Sequence, residues 1–200
     1  MKSGLERLKE IVTQSAFYRS PNYSVNVSFK DLFKPVGGLL AYNSLVQELT
    51  EEIALSPYEI LEKLTPEFQR SNQKWTKNMQ QCFVENLLCG CETKVQLYDV
   101  KGRGGELDDS LILDGLQRLT AIAAFHSGEF AVFDELYWED LKSGGIFPRL
   151  NLIVNIYQFD SDIEACRFYI QMNKGITHSE ADLETAYCFM RKHGEKCVFR

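Results

Sequence analysis

From Ser110 to Gly128 the chain reads SLILDGLQRLTAIAAFHSG. An apolar run bounded by turn signals predicts a strand over SLILD. Beyond Asp114-Gly115 the pattern changes period: Leu119, Ile122, Ala123 and Phe125 fall on one helical face, and Gly128 closes the segment. Upstream, TKVQLYDV alternates as a second strand, and the polar turn KGRGGELDD separates it from SLILD, so the two are expected to pair antiparallel. A hairpin that runs directly into a helix breaks the regular β-α-β alternation of a doubly wound sheet. The expected class is α+β.

The flanking segments fit that class. EFAVF and NLIVNIYQF read as strands around the Gly-rich connection KSGGIFPR. Two capped helices are expected to follow, with capping boxes Ser161/Glu164 and Thr177/Glu180. The first should stop at NKG, with Gly175 as a left-handed cap. Ser56 and Pro57 mark the N-cap and first position of a short helix to about Leu64, and Thr65-Pro66 ends it. PEFQR is expected to be extended. The next helix places Trp75, Met79, Cys82, Phe83, Asn86 and Leu87 on one face and ends near Gly90. Residues 1–55 carry a helix with Leu5, Leu8, Ile11 and Val12 in register, a short alternating strand in SPNYSVNVSF, the turn KPVGGLLAYN and a second helical stretch, YNSLVQELTEEIAL. They are expected to form an extension to a domain spanning residues 56–200.

Composition removes several classes. No apolar run approaches the roughly 20 residues that span a bilayer. The N-terminus has no signal-peptide core, so a cytoplasmic protein is expected. The net charge is −6, so DNA could be held only through a local basic patch. The basic C-terminal RKHGEKCVFR is better explained by the dipole at a helix end, and GGELDD by a solvated hairpin turn. Six cysteines, Cys82, Cys89, Cys91, Cys166, Cys188 and Cys197, show neither a zinc-finger spacing nor C-x-x-C. Reduced cysteines packed as small hydrophobes are expected.

The chemistry concentrates at Asp114, Gly115, Gln117 and Arg118. Asp114 as N-cap and Gln117 three residues later would make a capping box, and Gly115 would ease the turn. Arg118 does not fit so simply. A cation in the first helical turn opposes the dipole, at a cost of about 0.3–1 kcal/mol. Two readings stay open: an acidic neighbour pairs with Arg118, or an anion occupies the turn, held by backbone N–H groups and the guanidinium fork. With an anion present, Asp114 could bind a metal or orient a water.

LILDGLQRLTAIAAF resembles the D-G-Q-Q-R-L-T motif of the N-terminal domain of GmrSD-type modification-dependent restriction systems, in the ParB/sulfiredoxin-like superfamily. EFQRSNQKW resembles that family's F-Q-R-x-x-x-x-W segment, NMQQCFVENLL its S-L-L helix, and FYIQMNKGITHSEADLETA its F-x-x-L-N-x-G-x-x-L-S-x-x-E-L segment. The four pieces occur in order and cover residues 56 to 190. Leu116 stands where the motif has its first glutamine, which removes one polar contact.

The resemblance implies a mixed sheet with surrounding helices and a pocket that binds a nucleoside triphosphate with Mg2+ or Mn2+. Arg118 and Arg70 would clamp phosphates, Gln69 and Gly115 would line the pocket, and Asn173 and Lys174 would reach the nucleotide. Asp114 would hold the metal or a water, and Gln117 would orient the phosphate or the attacking water. NTP hydrolysis coupled to DNA restriction, phage defence or another DNA transaction is implied, with kinase chemistry as a variant found in the superfamily. A different class also fits: a DNA-binding, regulatory or inhibitory protein that keeps the fold and acts through a protein partner. Family members often continue into an HNH-type nuclease. Here His126, His178 and His193 are scattered, so no autonomous cleavage of DNA is expected.

Overall fold

The computed structural model describes residues 2–14, 19–34, 38–39, 55–69, 74–102, 110–142, 150–174 and 179–195. Local signals set most of the elements in chain order. Helix α1 spans Gly4–Gln14 and strand β1 Tyr23–Ser28, followed by a 3-10 turn over Phe29–Asp31. Helix α2, Pro57–Leu64, starts at Ser56, whose hydroxyl accepts from the Glu59 N–H while the Glu59 carboxylate accepts from the Ser56 N–H. Helix α3 is Lys77–Leu88, strand β2 Lys94–Val100 and strand β3 Leu111–Asp114. Helix α4, Leu116–His126, and the short α5, Trp138–Lys142, precede strand β4, Asn151–Phe159. Helix α6, Asp162–Asn173, leads through a 3-10 turn at Glu180–Leu183 to α7, Glu184–Lys192.

The strands form one mixed sheet in the order β1-β4-β2-β3. β2 and β3 make the expected antiparallel hairpin, β4 lies parallel to β2, and β1 is antiparallel to β4. The fold is therefore α+β. Side chains alternate between two apolar layers. Val95, Leu97, Ile112, Leu152, Val154 and Ile156 pack under α2, α3 and α4. On the other face Tyr98, Leu113, Tyr157 and Phe159 pack under α6 and α7. Phe68, inserted from the segment after α2, joins this second layer against Tyr98 and Tyr169.

Several expectations are corrected. β1 is not an extension: it pairs along β4, and Val27, Phe29, Leu32 and Leu39 belong to the first core layer. PEFQR is a turn up to Gln69, whose N–H donates to the Pro66 carbonyl at 3.0 Å. EFAVF forms only an isolated bridge between Val132 and Leu136, around Phe133 and Asp134 at positive φ. Helix α3 buries Val84 and Leu87, while Met79, Cys82 and Asn86 are exposed. The packing face is rotated from the expected stripe because Trp75 and Phe83 meet each other's rings beside it, 5.3 Å apart. Cys166 is buried as expected, but Cys82, Cys89, Cys91 and Cys188 are exposed. The Ser161 hydroxyl caps α6 as expected, but the Glu164 carboxylate accepts from the Asp160 N–H rather than closing a box. A capping box before α7 joins Ser179 to Asp182. YNSLVQELTEEIAL up to Ala54, Gly175, Thr177 and Cys197 lie outside the described residues. Among the described residues no helix is long and apolar enough to cross a membrane.

Candidate functional site

β3 is an edge strand, so half of its backbone groups have no strand partner. Gln69 supplies one. Its buried Nε2 donates to the carbonyls of Ile112 at 2.7 Å and Leu113 at 2.9 Å. A regular strand aims successive carbonyls at opposite edges. Here the register slips between Gln96 and Leu97 of β2, and this irregularity brings two carbonyls within reach of one amide. Gln69 thus fixes the strand end from which Asp114 projects.

The chain then turns at Gly115, with φ +102°. A Cβ here would meet the Val95 methyls at 3.3 and 3.4 Å as well as occupying left-handed backbone. Gly115, not Asp114, is the N-cap, and it has no side chain with which to cap α4. The expected Asp114/Gln117 capping box is absent because the left-handed turn moves the helix start one residue on. That frees the Asp114 carboxylate. It pairs with Arg118, four residues along, whose guanidinium also donates to the Lys94 carbonyl. An acidic group N-terminal to its basic partner at this spacing is the favourable orientation, and it offsets the dipole cost of a first-turn cation. Arg118 therefore has its acidic neighbour within its own turn.

The pair stays accessible, with Arg118 27% and Asp114 32% exposed. The guanidinium carries five N–H donors and uses two described bonds. Gln117 is part-buried, and its side chain makes no hydrogen bond among the described residues. Asn173 and Lys174 end α6. The Asn173 amide donates back to the Tyr169 carbonyl at 2.9 Å, and neither residue bonds to Asp114, Gln117 or Arg118. Arg70 lies outside the described residues. The structure thus joins Asp114, Gly115 and Arg118, with Gln117 in the same turn and Gln69 behind them.

Among the described residues no three His, Cys, Asp or Glu side chains are grouped to hold a metal. A single carboxylate does not make a cage, but Mg2+ is commonly held by one or two carboxylates together with substrate phosphates and water. Asp114 fits that limited role. The described arginine and lysine of the C-terminal run, Arg191 and Lys192, pair with Glu184 and Glu67.

Two features escaped the sequence. A cleft of about 430 Å3 lies among Phe68, Tyr98, Leu111, Asp162, Phe189 and His193, and the Tyr98 hydroxyl donates to Asp162 at its wall. These residues come from five separate segments, so no spacing could announce it. Gln96 and Asn155 stand beside the Asp114 turn, and their only signal was the polar positions of alternating strands. Comparison of the chain with protein-family models, curated proteins and solved structures finds no match.

Proposed function

We propose that the β3–α4 turn binds the phosphates of a nucleoside triphosphate carrying Mg2+ or Mn2+, and that the chain hydrolyses it in the service of a DNA transaction such as restriction or phage defence. The observation that carries the reading is the ion pair of Asp114 and Arg118 at the start of α4. A metal–phosphate ligand offers each member of the pair a substitute of opposite charge: an anion for Arg118 and a cation for Asp114. Exchanging one pair for two leaves no charge unmatched. The dipole at the start of α4 favours the same anion.

When bound, the metal would polarise the phosphoryl oxygen and neutralise developing charge. The chain's own residues do the rest. Arg118 holds a phosphate oxygen. Asp114, released from Arg118, holds the metal or accepts a hydrogen bond from a water. Gln117 orients that water with a side chain that has no other described partner. The D-G-L-Q-R sequence and its resemblance to the GmrSD-type motif support the assignment to nucleotides.

The test is NTP binding by calorimetry with Mg2+, comparing wild type, Arg118→Lys and Arg118→Ala. Lysine keeps the charge but loses the fork. We expect Arg118→Ala to bind at least about tenfold more weakly and Arg118→Lys to fall between, while unfolding free energy drops by no more than about 1 kcal/mol, as for an exposed ion pair. Wild-type affinity in Arg118→Ala would remove the assignment.

A second reading has one observation in its favour. Leu5, Leu8, Ile11 and Val12 of α1 form an apolar stripe that is wholly exposed. A helix of this length is marginal without tertiary packing, which favours a role for a protein partner.

A further inference from the structure

Strand register places four polar side chains in one row across the whole sheet. Ser24 of β1 faces Asn155 of β4, Asn155 faces Gln96 of β2, and Gln96 faces Asp114 of β3. Residues paired in register leave the same face of a sheet, so Ser24, Asn155 and Gln96 share one, and Asp114 meets Gln96 across the irregularity between Gln96 and Leu97. This face carries Tyr98 and Tyr157 two residues further along β2 and β4, where α6 and α7 cover it. The row therefore marks the place where an aromatic layer gives way to a polar one, and it ends at the Asp114–Arg118 turn.

The two carboxamides are not used up by the fold. The Asn155 Oδ1 accepts from the Ser24 hydroxyl at 2.7 Å, and its Nδ2 makes no hydrogen bond among the described residues. The Gln96 Oε1 is sealed from solvent, and among the described residues neither it nor Nε2 has a hydrogen-bond partner, while the residue as a whole is part-exposed. Leaving a buried acceptor unmatched is costly, so a polar side chain held this way calls for an explanation beyond stability. Each carboxamide carries N–H donors that make no hydrogen bond among the described residues. Two strand spacings, about 10 Å, separate Asp114 from Asn155 along the row.

We propose that Gln96 and Asn155 read the base of the nucleotide whose phosphates lie at Arg118, by donating to the carbonyl or ring-nitrogen acceptors of its edge. The inference rests on the nucleotide reading above. A neutral donor row beside a guanidinium suits a ligand that is anionic at one end and carries planar acceptors at the other. Inorganic phosphate chains satisfy only the first half.

The test separates the two halves. Wild type, Gln96→Met and Asn155→Leu are titrated with Mg2+ and three probes: inorganic triphosphate, ribose 5-triphosphate and a mixed NTP panel. Wild type should bind its preferred NTP more tightly than either simpler probe. Each variant should lose about tenfold in NTP affinity, the worth of one specific hydrogen bond, with a much smaller change for ribose 5-triphosphate and inorganic triphosphate. Gln96→Met should unfold no earlier than wild type, since it removes the unmatched acceptor, and Asn155→Leu gives an independent position if it does. If wild type binds inorganic triphosphate but prefers no NTP over ribose 5-triphosphate, base reading is overturned and the phosphate site stands. Equal losses for NTP and ribose 5-triphosphate in the variants overturn it too. If wild type binds none of the three, both proposals fall together.

Discussion

At the residue scale, Gly115 is where backbone and packing demand the same amino acid. Its φ of +102° is costly for a side chain, and its Cα faces Val95 across the turn. Gly115→Ala should lower unfolding free energy by about 1–2 kcal/mol, the usual cost of left-handed backbone for an L-residue. Denaturant titration measures it. The same substitution should move Asp114 relative to Arg118, so NTP binding should weaken even where the protein stays folded. Arg118 shows how context settles a residue that sequence left open. Its cation is tolerated because Asp114 lies one turn behind it, and the pair forms only because Asp114 is not consumed as a cap.

At the element scale, α4 and α5 meet through His126. Its ring stacks on Trp138 with centroids 3.8 Å apart, and Phe29 and Phe33 close around it edge-on. Burial in this aromatic cage lowers the His126 pKa from 6.5 to about 3. A base whose folded pKa is depressed is neutral in the native state and takes a proton on unfolding. The unfolded chain therefore binds more protons between pH 6.5 and about 3, and stability must fall as pH falls through that window. The slope approaches about 1.4 kcal/mol per pH unit from this group alone. Unfolding free energy measured at pH 7 and pH 5 should show the loss. His126→Phe keeps the stacking partner and should flatten this part of the pH dependence; an unchanged slope would mean that other groups dominate.

At the scale of the whole molecule, β1 closes the sheet. It covers one edge of β4 while Phe29, which follows it, packs on Phe125 of α4 and Trp138 of α5. A chain reduced to residues 56–200, the domain expected from sequence, would bare the β4 edge and remove Val27, Phe29, Leu32 and Leu39 from the core. Losing buried side chains of this size costs about 2–5 kcal/mol each, comparable in sum with the entire stability of a domain. That fragment should show no cooperative thermal transition by circular dichroism. A transition matching the full chain would return β1 to the status of an extension.

What the sequence by itself determined is what lies within a few residues of its own cause. Ser56 with Glu59 started α2, Pro66 followed its end, the alternation in TKVQLYDV and SLILD made a hairpin, and Asp114-Gly115 turned strand into helix. The fold class followed from the order of those pieces. The tertiary structure decided the rest because those outcomes depend on partners far along the chain. β4 pairs with β2 and with β1, both far from it along the chain. The buried face of α3 centres on Val84 and Leu87, with Phe83 and Leu88 beside them, and the core beneath it decided which of its apolar residues turned inward. Gln69 could be singled out in the sequence, but its bonds to the β3 carbonyls, 43 and 44 residues away, could not. The row from Gln96 to Ser24 needed two strand registers at once, where a shift of one residue turns side chains to the opposite face, and Asp114 meets its end across the irregularity in the third.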